Sequence, residues 1–275
     1  MSKAKNKEAR RPDLPPPRIV AFLDILGFRD LITRMYEKQP KLFGLIRDVF
    51  SFTENEIRLA NEAFYYKLKQ LEISSFSDSI VISAPPDERF LVFLYVGSIA
   101  NYYLKSGVAL RGGIAVGSTY HKGNIVFGRG FISAYDLESK VAVYPRIVID
   151  DSIVHQMNRE DREFLASERN SLADKFYQSV DKQLRRDLDG CYFLDFIKPP
   201  FATISSPKRE GIPKARELHY KEIKKAIERR LKLSKASGNQ SIIAKDRWLV
   251  RYFNETLPTA LSGSVGLIRL DKYTV

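Results

Sequence analysis

Short apolar, β-branched runs alternate with longer segments of helical spacing along the whole chain. The first run, RIVAFL at 18–23, ends just before a turn containing Gly27, which is typical of a buried strand. Two later runs flank Ser77-Asp78-Ser79 and predict a tight hairpin with Asp78 at or near its tip. The predicted strands are 18–23, 73–76, 80–83, 108–116, 123–127, 146–149, 192–196 and 265–270. The predicted helical regions are 29–69 with a break near residue 40, 87–105, 131–143, 152–188 and 214–257.

This alternation of strands and helices predicts an α/β or α+β protein with one mixed sheet. The chain has 275 residues, which is enough to bury a substantial core. Residues 1–17 are basic and then rich in proline, so we expect a disordered arm before the first strand.

Composition excludes several classes of protein. Hydrophobic residues make up 44% of the chain and charged residues 28%, which is too apolar for a disordered protein. The single cysteine, Cys191, rules out an internal disulfide or a multi-cysteine metal cluster and fits a reducing compartment. The longest uncharged apolar stretch, 90–104, is shorter than the roughly 20 residues of a membrane span. Because no apolar segment follows the basic N-terminus, we expect no secretory signal and a cytoplasmic protein.

The formal net charge of +12 favours a polyanionic partner such as nucleic acid, an acidic membrane or a nucleoside triphosphate. Residues 214–235 carry nine basic side chains against three acidic ones, with helical spacing that is typical of a solvated helix face. A nucleic-acid-binding surface is the alternative interpretation. Tyr220 is the one Phe, Tyr or Trp in that segment, which is not the aromatic interleaving used for base stacking, so we do not expect nucleic acid to be the partner.

The candidate chemistry lies at Asp24 and Asp78. Asp24 ends the first strand immediately before the segment 25–28, which opens the first helix. Unpaired N–H groups at a helix N-terminus suit phosphate oxygens, and Gly27 permits close approach of the backbone. Two aspartates with two Mg²⁺ or Mn²⁺ ions would activate a hydroxyl and stabilise a leaving pyrophosphate. Taken singly, each aspartate is equally typical of a helix cap or a turn.

Four segments, in this order and spacing, resemble the class III nucleotidyl cyclases. The stretch AFLDILGF (21–28) is similar to the family's D-I-x-G-F signature, and FSDSIVIS (76–83) falls where the family carries its second metal aspartate on a hairpin. The stretches LRGGIAVG (110–117) and GNIVFGRGFISAYDLE (123–138) resemble the family's next strand and the strand, glycine and helix that follow. The resemblance covers about 18–150. It implies an α+β fold with a ferredoxin-like βααββαβ core and active sites at a homodimer interface, while 151–275 would be a helical extension with additional strands packed on the core.

Four positions depart from the purine cyclases of that family. The position of the base-reading lysine holds Ser74, and that of the second base reader holds Ile125. The transition-state Asn and Arg fall on Ile132 and Asp136. Simple loss of enzymatic activity is not expected to replace only the purine-reading residues while both metal aspartates and the phosphate loop are kept. The combination resembles the pyrimidine cyclases of bacterial Pycsar antiphage defence, which implies cyclic UMP or cyclic CMP as product, phage infection as stimulus and a separate cyclic-nucleotide-gated effector as receiver.

The resemblance also implies roles for residues near the two aspartates. The ribose 3′-hydroxyl would attack the α-phosphorus, with two Mn²⁺ or Mg²⁺ ions held by Asp24, Asp78 and the Ile25 carbonyl. The residues whose backbone would hold the β- and γ-phosphates are Leu26, Gly27 and Phe28. Because the arginine usual in the family is missing, another positive charge is needed for the α- and γ-phosphates. The candidates are Arg111, Arg129 and Arg146, of which Arg111 matches a family motif.

Further candidates for contact with the substrate are Phe22, Ser74, His121 and Tyr135. Phe22 should face the same way as Asp24 on an alternating strand, although core packing is the alternative. His121 is either a surface turn residue or a hydrogen-bond partner of the ribose or base. Tyr135 would read a small base through its hydroxyl or serve as a half-buried helix aromatic. Glu138 is expected to be an exposed helix residue or a partner of Arg146 rather than a metal ligand.

Three other functions remain open from the sequence. They are a purine cyclase with unfamiliar base readers, a nucleotide-binding regulator that has lost activity along with the Asn and Arg, and a nucleic-acid-binding module. Uracil and cytosine are not distinguished, because discrimination between them rests on one or two hydrogen bonds.

Overall fold

The computed structural model describes residues 14–62, 70–166, 184–198 and 212–271. Most of the predicted basic arm, residues 1–13, lies outside the described residues. The strands are β1 (Pro17–Ile25), β2 (Glu72–Phe76), β3 (Ser79–Ala84), β4 (Leu110–Lys122), β5 (Ile125–Gly128), β6 (Ile147–Ile149), β7 (Leu184–Arg186) and β8 (Tyr192–Leu194). The α-helices are α1 (Phe28–Glu37), α2 (Leu42–Glu62), α3 (Arg89–Ser106), α4 (Arg129–Asp136), α5 (Asp151–Ala166), α6 (Ile212–Ser237) and α7 (Gln240–Thr256). Within these ranges, no helix is both long and apolar enough to cross a membrane.

The strands form one mixed, mainly antiparallel sheet in the order β2-β3-β1-β4-β6-β8-β7, and β5 pairs with the far end of β4. β1 lies in the middle, antiparallel to both β3 and β4, whereas β6 runs parallel to β4. This confirms the predicted α+β class. The elements from β1 to β4 follow the expected βααββαβ order.

The two faces of β1 pack in different environments. Ile19, Leu23 and their alternating neighbours lie in the main core together with α2 and α3. Val20 and Phe22 point the other way, into a smaller cluster with Ala134 of α4. Because side chains alternate along a strand, Asp24 belongs to this second face.

Glycines on β4 bring α4 directly onto the second face of the sheet. A Cβ atom added at Gly113 would lie 2.2 Å from the carbonyl oxygen of Ala134. One added at Gly117 would lie 2.6 Å from the backbone nitrogen of Gly130. No larger residue fits at this distance, so the spacing RGGIAVG sets the position of α4 and of the π-helical turn Leu137–Val141 that follows it.

The C-terminal part of the chain completes the same sheet and core. Trp248 and Tyr252 of α7 pack against Phe193 of β8, with ring centroids 5.5 and 5.2 Å apart. The predicted helix over 152–188 is wrong at its end, because residues 184–186 pair with β8 as strand β7. Such a short strand depends on its partner rather than on its own pattern. The rest of that segment, residues 167–183, lies outside the described residues.

The predicted final strand at 265–270 is also wrong. Val265 and Ile268 are buried in the core, which accounts for the apolar pattern. The backbone of Ile268 is bonded to the side chain of Asn254 instead of a neighbouring strand: its N–H donates to Asn254 Oδ1 (2.9 Å) and its carbonyl accepts from Asn254 Nδ2 (3.0 Å).

Candidate active site

Asp24 and Asp78 lie together at one end of the central strands. Asp24 is opposite Ser79 on β3 and Arg111 on β4. Asp78 lies in the two-residue turn between β2 and β3, where Ser77 adopts a left-handed backbone with φ 54°. The N–H of Ile25 donates to the Asp78 carbonyl (3.1 Å), which fixes the hairpin tip against the end of β1. Local turn geometry and sheet pairing thus place two carboxylates from distant parts of the sequence side by side.

The proximity of these carboxylates affects their ionisation. Burial raises the pKa of Asp24 above its ordinary value, the hydrogen bond and charge of Arg111 oppose that shift, and the Asp78 carboxyl adds to it. A divalent cation would relieve this repulsion, so the pair fits a metal site. Within the described ranges, no group of three or more His, Cys, Asp and Glu side chains converges to hold a metal. A cation held by two carboxylates would complete its shell with a carbonyl, water and substrate phosphates.

The loop after Asp24 offers N–H groups to an anion. Gly27 caps α1 with φ 78°, a left-handed conformation that favours glycine. Leu26 donates its N–H to the Ala109 carbonyl (2.9 Å), so that group is not available to a phosphate in this arrangement. The N–H groups of Gly27 and Phe28 have no acceptor in the part of the chain that the structure describes. The cradle predicted over Leu26 to Phe28 therefore rests on its last two residues.

Arg111 lies between Asp24 and a third carboxylate. Its Nε is 3.2 Å from Asp24 Oδ2 and 2.6 Å from Glu138 Oε1. Glu138 is only 3% exposed, and the expectation that it is exposed or pairs with Arg146 is wrong. It stands in the π-helical turn after α4, where the regular helical period used for the prediction no longer holds. Burial raises the pKa of Glu138, and the charge of Arg111 opposes that shift.

The other two candidate arginines are elsewhere. Arg146 is almost completely buried and pairs with Asp187 (2.5 Å) and with Asp189. These contacts remove it from the list of phosphate-binding candidates. Arg129 is exposed in the first turn of α4. Of the three, Arg111 is the one whose contacts place it at the aspartates.

Ser74 and His121 form a second polar group on the same face of the sheet. Ser74 Oγ is 3.1 Å from His121 Nε2, and Ser83 Oγ is 2.8 Å from His121 Nδ1. His121 is buried rather than a surface turn residue, and burial lowers its pKa to about 4, with the charge of Arg18 adding to the effect. Ser83 pairs with Val20, four residues before Asp24 on β1. At ~3.3 Å per residue, Ser83 is therefore about 13 Å from Asp24 along the strand, whereas Ser74, which is level with Phe22 through Val81, is about 7 Å from it in that direction. Among the described contacts, Ser74 and Ser83 bond to His121 and not to either aspartate.

Phe22 lies between the two groups, on the face predicted for it. Its ring packs edge-on against Phe131 and Tyr135 of α4, with centroids 5.8 and 5.3 Å apart. Phe22 is nearly buried, whereas Tyr135 is about half exposed. The aromatic contact therefore leaves the Tyr135 side chain at the surface, beside the strand that carries Asp24.

Solved structures similar to this chain are cyclases. A bacterial light-regulated adenylyl cyclase is 16% identical with a TM-score of 0.34, over 53% of this chain and 46% of that one. The guanylyl cyclase Cya2 is 13% identical with a TM-score of 0.34, over 51% and 77%. The adenylyl cyclase CyaB from P. aeruginosa is 13% identical with a TM-score of 0.36, over 52% and 81%. This chain thus spans less than half of the light-regulated enzyme, and likeness at this level carries no argument about activity. No protein-family model and no curated protein matches the sequence.

Proposed function

We propose that the protein is a metal-dependent nucleotidyl cyclase that converts UTP or CTP to the cyclic 3′,5′-monophosphate and pyrophosphate. The observation that carries the proposal is the meeting of Asp24 and Asp78 beside the N-terminus of α1, where the N–H groups of Gly27 and Phe28 have no acceptor among the described residues. Carboxylates for cations and backbone donors for phosphates are the two requirements for binding a triphosphate.

The side chains at this site have distinct roles in the proposed reaction. Asp24 and Asp78, with the Ile25 carbonyl, would hold two Mn²⁺ or Mg²⁺ ions, and these ions when bound lower the pKa of the ribose 3′-hydroxyl and neutralise the polyphosphate. The N–H groups of Gly27 and Phe28 orient the terminal phosphates. Arg111 carries positive charge next to Asp24, where it stabilises charge that develops on the phosphates as pyrophosphate leaves.

The proposed preference for a pyrimidine is supported by what stands at the positions of the purine readers. Ile125, at the position of the second base reader, is 61% exposed and has no polar group to offer a purine. Ile132 and Asp136 stand instead at the positions of the transition-state residues; Ile132 is 58% exposed, and Asp136 is paired with Lys140 on the next turn (2.9 Å). Ser74 offers only a hydroxyl, which suits the carbonyl or N3 of a small base. We include Ser74, His121, Phe22 and Tyr135 as the polar and aromatic side chains that line this face.

A homodimer is part of the proposal. Exposed apolar side chains are concentrated on α4 and on the β4–β5 hairpin, among them Ile125, Phe127, Ile132 and Tyr135. Exposed apolar patches of this kind mark interaction surfaces. The resemblance to the cyclases implies that the active sites of such a dimer lie at its interface.

The resemblance to antiphage pyrimidine cyclases supports the rest of the proposal. The cyclic nucleotide would act in the cytoplasm as a second messenger of phage infection. A separate effector protein would bind it, without stable contact between the effector and this protein.

The test is a product assay by mass spectrometry, in which purified protein is incubated with Mn²⁺ and equal amounts of ATP, GTP, CTP and UTP. Cyclic UMP or cyclic CMP as the main product supports the proposal, whereas cyclic AMP or cyclic GMP would replace it with a purine cyclase.

A nucleotide-binding regulator is the second candidate, favoured by Ile132 and Asp136 at the positions of the transition-state residues. That function predicts that the protein binds a labelled triphosphate in the presence of Mn²⁺ but releases no pyrophosphate. Measuring binding and pyrophosphate release on one preparation separates the two functions.

A further inference from the structure

We propose that Phe76 is a substrate-binding residue whose ring stacks on the base of the nucleoside triphosphate held at Asp24 and Asp78. The inference rests on the proposed function, because the cation and phosphate site is the one described above. It deepens that function by assigning a role to an aromatic side chain that is not among the candidate substrate contacts.

The first observation is the exposure of Phe76 at the end of β2. The residue is 85% exposed, more than any other Phe, Tyr or Trp in the described ranges. Its neighbours along the hairpin, Ser75, Ser77, Asp78 and Ser79, are all polar. The ring is therefore separate from the apolar surface of α4 and the β4–β5 hairpin. A single ring in polar surroundings suits a ligand that combines polar groups with one flat ring.

The second observation is the position of Phe76 relative to Asp24. Phe76 is paired with Ser79 on β3, and Ser79 is paired with Asp24 on β1. Paired side chains lie on the same face of a sheet, so Phe76 shares the face of Asp24 and is level with it. Adjacent strands are about 4.8 Å apart, which places the two Cα atoms about 10 Å apart. A base joined through one ribose to an α-phosphate at Asp24 can span that separation.

The third observation is that the other directions on this face are occupied. Towards the start of β1, the aromatic rings of α4 pack on Phe22. Towards β4, the guanidinium of Arg111 and the buried Glu138 stand beside Asp24. Towards β2, Phe76 is exposed, with no covering element in the described ranges. A nucleoside whose phosphates are held at the aspartates therefore extends over the β2–β3 hairpin.

The hairpin also sets the distance between the ring and the cation site. Ser77 alone separates Phe76 from Asp78, and its left-handed backbone (φ 54°) belongs to the tight turn. The Asp78 carbonyl accepts a hydrogen bond from the N–H of Ile25 (3.1 Å). Because the backbone of Phe76 is tied to that of Asp78, less freedom is lost when a base stacks on the ring.

The test measures the binding of ligands that cannot react. The nucleotides 3′-deoxy-UTP and 3′-deoxy-CTP lack the attacking hydroxyl, and inorganic tripolyphosphate lacks the base. Each is titrated by calorimetry in the presence of Mg²⁺. In Phe76→Ala we expect the Kd for the tighter-binding nucleotide to rise about 10-fold, within the range known for stacked bases, and the Kd for tripolyphosphate to stay at its wild-type value.

The matched control is Phe43→Ala, which removes an exposed ring from α2 and should change neither Kd. A nucleotide Kd that is unchanged in Phe76→Ala would overturn the inference. An equal loss of affinity for the nucleotide and for tripolyphosphate would also overturn it, because the ring would then act on the phosphate site and not on the base.

Phe76→Trp gives a spectroscopic result. The introduced indole offers a larger stacking surface, so the nucleotide should bind at least as tightly as to the wild type. Its fluorescence should be quenched by the nucleotide and not by tripolyphosphate. The natural Trp248 is buried and supplies the wild-type background, and Phe43→Trp is the control for an exposed indole elsewhere. Constant emission from Phe76→Trp while the nucleotide binds would place the base elsewhere and overturn the inference.

A subunit contact is the competing explanation for an exposed ring. Light scattering coupled to size exclusion is therefore recorded for every variant, together with thermal unfolding. Phe76→Ala should keep the oligomeric state and the stability of the wild type, because the side chain is exposed. A monomeric Phe76→Ala beside a dimeric wild type would overturn the inference and assign Phe76 to the interface.

Failure of the proposed function gives a different result. If the wild type binds neither the nucleotides nor tripolyphosphate and forms no cyclic nucleotide, the proposed function fails and the stacking role fails with it. If the wild type forms cyclic nucleotide while Phe76→Ala keeps the wild-type Kd, the stacking role alone is removed.

Discussion

The backbone N–H of Ile25 donates to the carbonyl of Asp78 across 3.1 Å, so the residue that follows one candidate aspartate is bonded directly to the other. This bond joins the end of β1 to the tip of the β2–β3 hairpin. It fixes the separation of two side chains that are 54 residues apart in the sequence. The strongest expectations about this protein follow from that link.

Removal of either carboxylate should abolish turnover without unfolding the protein. We expect Asp24→Asn and Asp78→Asn to lower kcat for cyclic nucleotide formation at least ~100-fold, since even outer-sphere partners of a metal are worth 10- to 100-fold. Asp30→Asn, an exposed acid in the first turn of α1, is the control and should retain full activity. Residual activity within a few-fold of wild type in either aspartate variant contradicts the two-metal assignment.

The glycine beneath α4 should be sensitive to a single methyl group. In Gly113→Ala the new Cβ meets the Ala134 carbonyl at 2.2 Å, and a backbone oxygen cannot move aside as a flexible side chain can. We expect a loss of about 2 kcal/mol or more in the free energy of unfolding, measured by urea denaturation. At Gly44 of α2 a Cβ meets nothing within 4 Å, so Gly44→Ala should be neutral or slightly stabilising. Equal stability of both variants would show that α4 does not lie against β4.

Stability should fall as the pH is lowered from about 6.5 towards 4. Burial lowers the pKa of both His121 and His219 to about 4 in the folded state, whereas histidine in an unfolded chain titrates near 6.5. Between these values the unfolded state binds more protons, so each histidine costs the folded state about 3 kcal/mol by the bottom of the range.

Denaturation at pH 7 and pH 4.5 tests this dependence. His121→Gln and His219→Gln should each reduce the difference in unfolding free energy between the two pH values. His155, which is exposed on α5, provides the control, and His155→Gln should leave the difference as it is in the wild type. A pH dependence unchanged in all three variants would mean that neither buried histidine causes it.

Arg146 should matter for stability rather than for phosphate binding. Its guanidinium is buried between Asp187 and Asp189, and its hydrogen bond lowers the pKa of Asp189 to about 2. Arg146→Ala leaves acidic groups without their buried partner and should cost about 3–5 kcal/mol of unfolding free energy. Lys140→Ala, which breaks the exposed pair with Asp136, should change it by less than ~0.5 kcal/mol. A fully stable Arg146→Ala with a raised KM for the triphosphate would return Arg146 to the list of phosphate ligands.

The exposed apolar surface of α4 and the β4–β5 hairpin should carry self-association. We expect the wild type to be a dimer at micromolar concentration in light scattering coupled to size exclusion, and Phe127→Asp and Ile132→Asp to be monomers. Both side chains are exposed, so the substitutions should not alter thermal stability. Tyr36→Asp places the same charge on α1, at a side chain that is 79% exposed, and should remain dimeric. A monomeric wild type would contradict the expected assembly.

The parts of the fold that sequence reasoning found are those with a local signal. The apolar run at 18–23, the turn at Ser77-Asp78 and the glycines of RGGIAVG each specify their own backbone, and together they place Asp24, Asp78 and Arg111 at one sheet end. Register follows from them, because a shift of one residue would exchange the face of β1 that lies in the main core with the face that packs against α4.

The parts of the fold that sequence reasoning missed depend on contacts with residues distant in the sequence. Strand β7 exists through its pairing with β8, and the segment 265–270 is held by the side chain of Asn254 rather than by a sheet. Glu138 was misjudged because a π-helical turn changes the direction of side chains without a signature in composition. The burial of Arg146 and His121 likewise reflects partners far away in sequence.

The continuation of the sheet through β6 into β8 and β7 has a practical consequence for the design of a minimal fragment that keeps the candidate site. Ending the chain after Ile149 would uncover the outer edge of β6 and the ring of Tyr144, on which Trp248 stacks. An unpaired strand edge exposes N–H and C=O groups that pair with strands of other molecules, which leads to aggregation. A fragment that stops there should be recovered from inclusion bodies, whereas one that keeps the last two helices should stay in solution.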